Sequence, residues 1–291
     1  MDRVASAWIT AALRLRLAAV VVAVWSAACG DNLGWKHLDE ADRDIAYLGN
    51  SAGGIYLIES DFEFFHGAGA TLYASPYEPR AALVARDGDC EVWVHPGPFL
   101  CHDGCNSGNC VGPDRCAPYP AGLSAGTITV SGLVEPLRFQ PSEYGYAADP
   151  GITGAEIFSP GAVIVASAAG EAVPGFTLEA AGVTPLEMEL PEIRLEDGVD
   201  EVVRWRAAGD GRIQLVLQVG HHGRPYDARL VCETADDGEL TISGDLIASF
   251  HEVPVHDELQ HPSWMARFTR DVVDTEVGPI ELFVASQQEL H

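Results

Sequence analysis

Arg212-Ile213-Gln214-Leu215-Val216-Leu217-Gln218-Val219 sets Ile213, Leu215, Leu217 and Val219 on one side of an extended chain and Arg212, Gln214 and Gln218 on the other. A period of two is the signature of a strand with one buried face. Upstream, residues 201–207 alternate in the same way, Val203 and Trp205 against Arg204 and Arg206. Gly209-Asp210-Gly211 separates the two runs and accepts positive φ, so they are expected to close as an antiparallel hairpin. Further along, a turn over residues 220–225 leads to a strand at 228–232, and residues 264–273 and 280–285 supply two more. Earlier, the short apolar runs 55–58, 70–74, 82–86 and 91–94 are divided by Gly, Pro, Asp and Ser, again the pattern of strands. The one helix expected in this part of the chain is short, residues 245–250, opened by Ser243 as cap. The fold class is therefore all-β: an antiparallel β-sandwich, one large or two packed together, with a disulfide-rich loop.

The chain of 291 residues is 47% hydrophobic, enough for a sizeable core, and its formal charge is −26. Residues 1–28 contain Arg3, Arg14, Arg16 and Asp2, a net +2, so the remainder carries −28. Such a surface repels phosphate backbones and anionic headgroups, which argues against nucleic-acid partners. Residues 17–28 (LAAVVVAVWSAA) form an apolar run behind Arg14 and Arg16, shorter than the roughly 20 residues of a membrane span and laid out like a signal-peptide core. Ser26-Ala27-Ala28-Cys29-Gly30-Asp31 follows. It resembles the lipobox of bacterial lipoproteins, with Ser26 where a leucine is usual. The resemblance implies cleavage before Cys29 and lipidation of Cys29. The organisation expected is a signal peptide at 1–28, a lipid-anchored acidic tether at 29–50, an N-terminal β region with the cysteine-rich loop at 51–120, and a C-terminal β-sandwich at 121–291.

Of seven cysteines, setting Cys29 aside leaves six. Cys90, Cys101, Cys105, Cys110 and Cys116 lie close together in a Gly- and Pro-rich segment, and Cys232 stands alone on an expected strand. Exported thiols oxidise, and crosslinks replace the core that such a segment lacks. Odd parity inside the cluster requires one bridge to Cys232, though six cysteines can pair in fifteen ways and spacing selects none. A zinc site built from Cys101, Cys105 and Cys110 with His95 or His102 is disfavoured, because the spacings are not those of paired knuckles.

Three other patterns bear on chemistry. Gly49-Asn50-Ser51-Ala52-Gly53 fits the G-x-S-x-G form of a hydrolase nucleophile elbow, but few residues precede it and a strand follows, so it reads as a Gly/Ser turn. His251, His256 and His261, with Asp257 among them, recur every five residues and form the one candidate metal set; the spacing and Pro254 and Pro262 favour a solvated loop. His221-His222 occupies the turn before residue 228. Asp236-Asp237-Gly238-Glu239 offers oxygen atoms to calcium but reads first as a hairpin turn. Trp93, Trp205 and Trp264 fall on expected strands and are assigned to the core; aromatic rings on an exposed sheet face would instead point to carbohydrate.

SAGTITVSGLVEPLRF from Ser124, FSPGAVIVASAAGEAVPGF from Phe158 and LVCETADDGELTISGDLIASF from Leu230 resemble uncharacterised, cysteine-stapled β lipoproteins of myxobacteria over the last two-thirds of the chain. That resemblance implies strands, turns and a cysteine, and no activity. The expectation for function is an exported, lipid-anchored, non-catalytic binding or structural protein facing the periplasm or cell surface, with no cofactor. Its membrane partner is reached through the lipid, and protein, glycan or divalent-cation ligands are open. A glycan- or metal-binding module is the alternative, and a secreted hydrolase the remote one.

Overall fold

The computed structural model describes residues 45–47, 52–61, 66–74, 80–94, 108–112, 115–118, 120–142, 145–152, 154, 156–219, 228–252 and 263–290, all within a compact unit spanning His37–His291. The expected signal peptide, Cys29, Ser51, His95, Cys101, His102, Cys105, His221, His222, His256, Asp257 and His261 lie outside the described residues.

The chain first lays down β1 (Ile45–Tyr47), β2 (Gly53–Ser60), β3 (Gly67–Leu72), β4 (Arg80–Asp87) and β5 (Cys90–Val94). A small hairpin of β6 (Gly108–Gly112) and β7 (Arg115–Pro118) precedes β8 (Ile128–Ser131), β9 (Leu137–Ser142), β10 (Gly145–Asp149), β11 (Val163–Gly170) and β12 (Pro174–Ala181). After β13 (Glu201–Arg204), β14 (Arg212–Val219), β15 (Ala228–Ala235) and β16 (Glu239–Ile242) come helix α1 (Gly244–His251) and the long strands β17 (Ser263–Thr275) and β18 (Gly278–Leu290). A nine-stranded sheet runs β1-β4-β5-β15-β14-β17-β18-β2-β3, and a five-stranded sheet runs β10-β9-β8-β11-β12. The fold is all-β and sandwich-like, as expected, with one departure from antiparallel pairing. β2 lies parallel to β18, Ile55 opposite Leu282, a pairing that needs a long connection and here closes the chain's start against its end.

Alternation builds the core between the sheets. Ile55 and Leu57 of β2 and Leu282 and Val284 of β18 point inward to meet Ile128, Phe139, Ile164 and Leu178 of the smaller sheet, all buried in one cluster. Each such side chain contributes about 1.5–3 kcal/mol by leaving water. Two polar contacts seam the rims: Thr269 Oγ1 donates to Ala181 O at 2.5 Å, and Glu179 N donates to Asp271 Oδ2 at 2.8 Å. α1 lies against β4, β5 and β15 of the large sheet and buries Leu246, Ile247 and Phe250. Its start follows the capping rule, with Ser243 Oγ accepting from Leu246 N at 3.4 Å.

Two expectations need correction. β13 does not form a hairpin with β14; it pairs with β16, because both edges of β14 are taken by β15 and β17. Asp236-Asp237-Gly238-Glu239 accordingly links two sheets and is not a hairpin turn. Within the span expected as a tether, residues 45–47 form β1, whose Ile45 pairs with Ala82. The large sheet takes β1 to β5 from before residue 121 and β14, β15, β17 and β18 from after it.

The parity argument about Cys232 is met by Cys90, whose Cα lies 4.0 Å from that of Cys232 across the β5–β15 ladder. The bridge thus joins two neighbouring strands of the large sheet, in place of tying a loop to it. Cys110 and Cys116 are backbone partners in the β6–β7 hairpin. Because the Cys90–Cys232 bridge closes a separation of 142 residues, its removal relaxes the unfolded chain substantially. The double variant Cys90→Ser/Cys232→Ser is expected to lose roughly 2–5 kcal/mol of unfolding free energy, measured by denaturant titration, while its β circular dichroism at low denaturant stays unchanged.

Candidate functional site

Two polar arrangements stand out, one closed and one with room for a ligand. The closed one surrounds Arg267, which is 1% exposed although it lies on a strand rich in apolar residues. Its Nε donates to Asp236 Oδ2 at 2.9 Å, Nη1 to Thr184 O at 3.0 Å and Pro185 O at 2.8 Å, and Nη2 to Arg206 O at 2.6 Å and Asp236 Oδ1 at 3.2 Å. All five guanidinium N–H groups are therefore used. Asp236 also accepts from Trp205 Nε1 at 2.7 Å, Ala208 N at 3.1 Å and Gly209 N at 2.7 Å. The last bond depends on a turn in which Gly209 has φ +73°, a region that favours glycine. A carboxylate so fully engaged has no lone pair to spare for calcium, which removes Asp236 from that reading.

Burial by itself would raise the Asp236 carboxyl, but hydrogen bonds from Arg267, Trp205, Gly209 and Ala208 outweigh it and hold the group below the usual carboxylate range. The network is a structural clamp: its donors and acceptors satisfy one another and leave nothing to act on a substrate.

The second arrangement lies on the other face of the large sheet. In β5, Val92 and Val94 are buried inward, so Trp93 turns outward; in β17, Met265 and Arg267 are inward, so Trp264 turns outward. The assignment of Trp93 and Trp264 to the interior core is thus corrected: both are partly buried on the outward face, Trp264 packing against Ala266, Phe268 and Ala285, and of the three tryptophans only Trp205, 3% exposed, is buried in the interior. Trp93, Trp264, Tyr56, Phe283, Arg229 and Arg270 share a cleft of about 930 Å³. Register orders them in rows. Trp264 continues through Val216 and Val231 to Glu91, and Tyr56 continues through Phe283 to Arg270. Phe283 stacks on Phe268 with centroids 5.0 Å apart, and the Arg270 guanidinium lies 5.5 Å over the Phe268 ring.

Polar groups in the cleft are held in pairs. Trp93 Nε1 donates to Glu91 Oε2 at 2.9 Å, and Glu91 is ion-paired with Arg86. Arg270 Nη2 lies 3.3 Å from Glu233, Arg229 donates to Gln218 at 3.2 Å, and Tyr56 Oη donates to Glu281 at 3.2 Å. Among the described lining residues, Arg86, Arg229 and Arg270 face Asp89, Glu91, Glu233 and Glu281, nearly balanced in a chain with 17 basic and 43 acidic residues.

Of the expected metal set, the structure places His251 at the end of α1, exposed, with Nδ1 2.6 Å from Asp197 Oδ1. No group of three or more His, Cys, Asp or Glu side chains converges among the described residues. The segment after the G-x-S-x-G pattern is β2, a strand where a nucleophile elbow requires a helix. Sequence reading missed both the clamp and the cleft, although strand parity carries a signal for each. Arg267 shares the inward side with Met265, and Trp93 shares the outward side with Glu91.

Comparison of the chain with protein-family models, with curated proteins and with solved structures finds no match in any of the three.

Removing one member of the clamp leaves the other buried and unpaired, so Asp236→Ala and Arg267→Met are each expected to destabilise by about 3–5 kcal/mol. The double variant should lose less than the sum, read in a denaturant double-mutant cycle. The folded carboxyl titrates below its unfolded value of about 3.9, so its contribution is full above that pH and is lost as pH falls through the lowered value. Asp236→Asn should therefore show a shallower fall of Tm than the natural protein as pH drops below about 4.

Proposed function

We propose that this chain is an exported protein, anchored in the cell envelope by a lipid on Cys29, and that it acts by binding a ligand in the cleft on the outward face of the nine-stranded sheet. The observation that carries the binding reading is the cleft itself. A space of about 930 Å³ is walled by aromatic rings and by polar side chains already fixed in pairs. Concave sites of this kind, mixing apolar walls with a few oriented polar groups, are where proteins hold small molecules or chain segments. Export and anchoring are supported by the apolar run 17–28, by Cys29 after Ser26-Ala27-Ala28, and by a disulfide that needs an oxidising compartment. The acidic surface argues against nucleic acid as the ligand.

Intact mass of the membrane-fraction protein tests the anchor: cleavage before Cys29 with added acyl mass is expected, and an uncleaved chain or a free Cys29 thiol overturns it. Binding is tested by the Tm of the mature chain in fractionated envelope extract. A rise that follows ligand concentration and disappears in Trp93→Ala/Trp264→Ala is expected; a rise of the same size in that variant, or none in any fraction, overturns the cleft as the site.

A further inference from the structure

The geometry points to a neutral glycan chain as the ligand of this cleft, an inference that rests on the binding reading above. Trp93 and Trp264 stand on β5 and β17, which are separated by β15 and β14 in the sheet. Three strand steps of about 4.8 Å across the sheet, with an offset of two residues along it, place them roughly 16 Å apart. That is too far for one small planar ligand to cover both, and suited to an extended chain that crosses the strands. Both rings are partly exposed on the same side of the sheet, with Val216 and Val231 in the row between Trp264 and Glu91. Rings so placed offer flat apolar platforms to the C–H faces of sugars.

Charge favours a neutral ligand. An anionic ligand would approach a molecule of net charge −26, and to engage Arg86 or Arg270 it would have to draw them from Glu91 or Glu233. A cationic ligand would have to compete with those two arginines for Glu91 and Glu233. Hydroxyl groups donate and accept at once, so they can add to Gln214, Glu91, Glu233 and Arg270 without breaking any existing pair. Because the side chains are already oriented by one another, little ordering remains to be done on binding.

The test is titration of the mature protein with neutral β-1,4-glucan, xylan, mannan, chitin and α-1,4-glucan hexasaccharides, with hexagalacturonate and with an uncharged flexible peptide, read by tryptophan fluorescence and calorimetry. At least one neutral hexasaccharide is expected to bind saturably, and to bind as well in 0.5 M as in low salt, about the limit of charge screening. Trp93→Ala and Trp264→Ala should each weaken it about tenfold or more, with the β circular dichroism retained, and Trp264→Phe should retain most of the affinity. Preference for hexagalacturonate or the peptide, lost in the tryptophan variants, overturns the glycan and leaves the cleft standing. So does a silent panel while envelope extract still raises Tm in a tryptophan-dependent way. Glycan binding that ignores both tryptophans, or silence of panel and extract alike, overturns the glycan and the cleft together.

Discussion

The buried pairing of Arg267 with Asp236 is the constraint on which the arrangement of the second half of the chain depends. A guanidinium at 1% exposure is tolerable only if every N–H finds an acceptor, and the acceptors here come from three separate stretches: Thr184 and Pro185, Arg206, and Asp236. Those stretches are thereby fixed to β17 at one point. Asp236 in turn gathers Trp205, Ala208 and Gly209, so the segment between β13 and β14 bends around a carboxylate.

Nearby, Asp210 repeats the device on a smaller scale, its Oδ2 accepting from Thr184 N at 2.8 Å and from Thr184 Oγ1 at 2.5 Å. Leu186 N donates to Ser286 Oγ, and Met188 N to Gln288 Oε1, so the non-repetitive segment 184–190 is stitched to β18 by side chains where a ladder is lacking. The backbone N–H groups of Thr184, Leu186 and Met188, which have no sheet partner, are thus each met by a side chain.

Clamp and cleft are two consequences of one alternation. Along β17, Met265 and Arg267 go inward while Trp264, Arg270 and Val272 line the cleft, so the strand that anchors the interior also presents the binding face. Along β15, Leu230 and Cys232 are buried while Arg229, Val231 and Glu233 face the cleft. Rigidity on one side is what holds positions on the other, since rings three strands apart keep their spacing only if the ladders between them do not slip.

Local pattern determined the strands. Alternation marked β13 and β14, further segments at 228–232, 264–273 and 280–285 marked β15, β17 and β18, Ser243 marked the start of α1, and odd parity in the cysteine cluster demanded a bridge to Cys232. Each of these follows from neighbours in sequence or from simple counting. Tertiary structure alone decided which strands pair, because the period of two says that a strand has two faces and not which neighbour it meets or which face is covered. Hence Glu201 to Arg204 found β16, β2 found the distant β18 in parallel, and Trp93 and Trp264 turned from expected core into the walls of a cleft. The cleft exists only when strands from both ends of the chain lie side by side, and that juxtaposition is set by long-range packing that no stretch of sequence contains by itself.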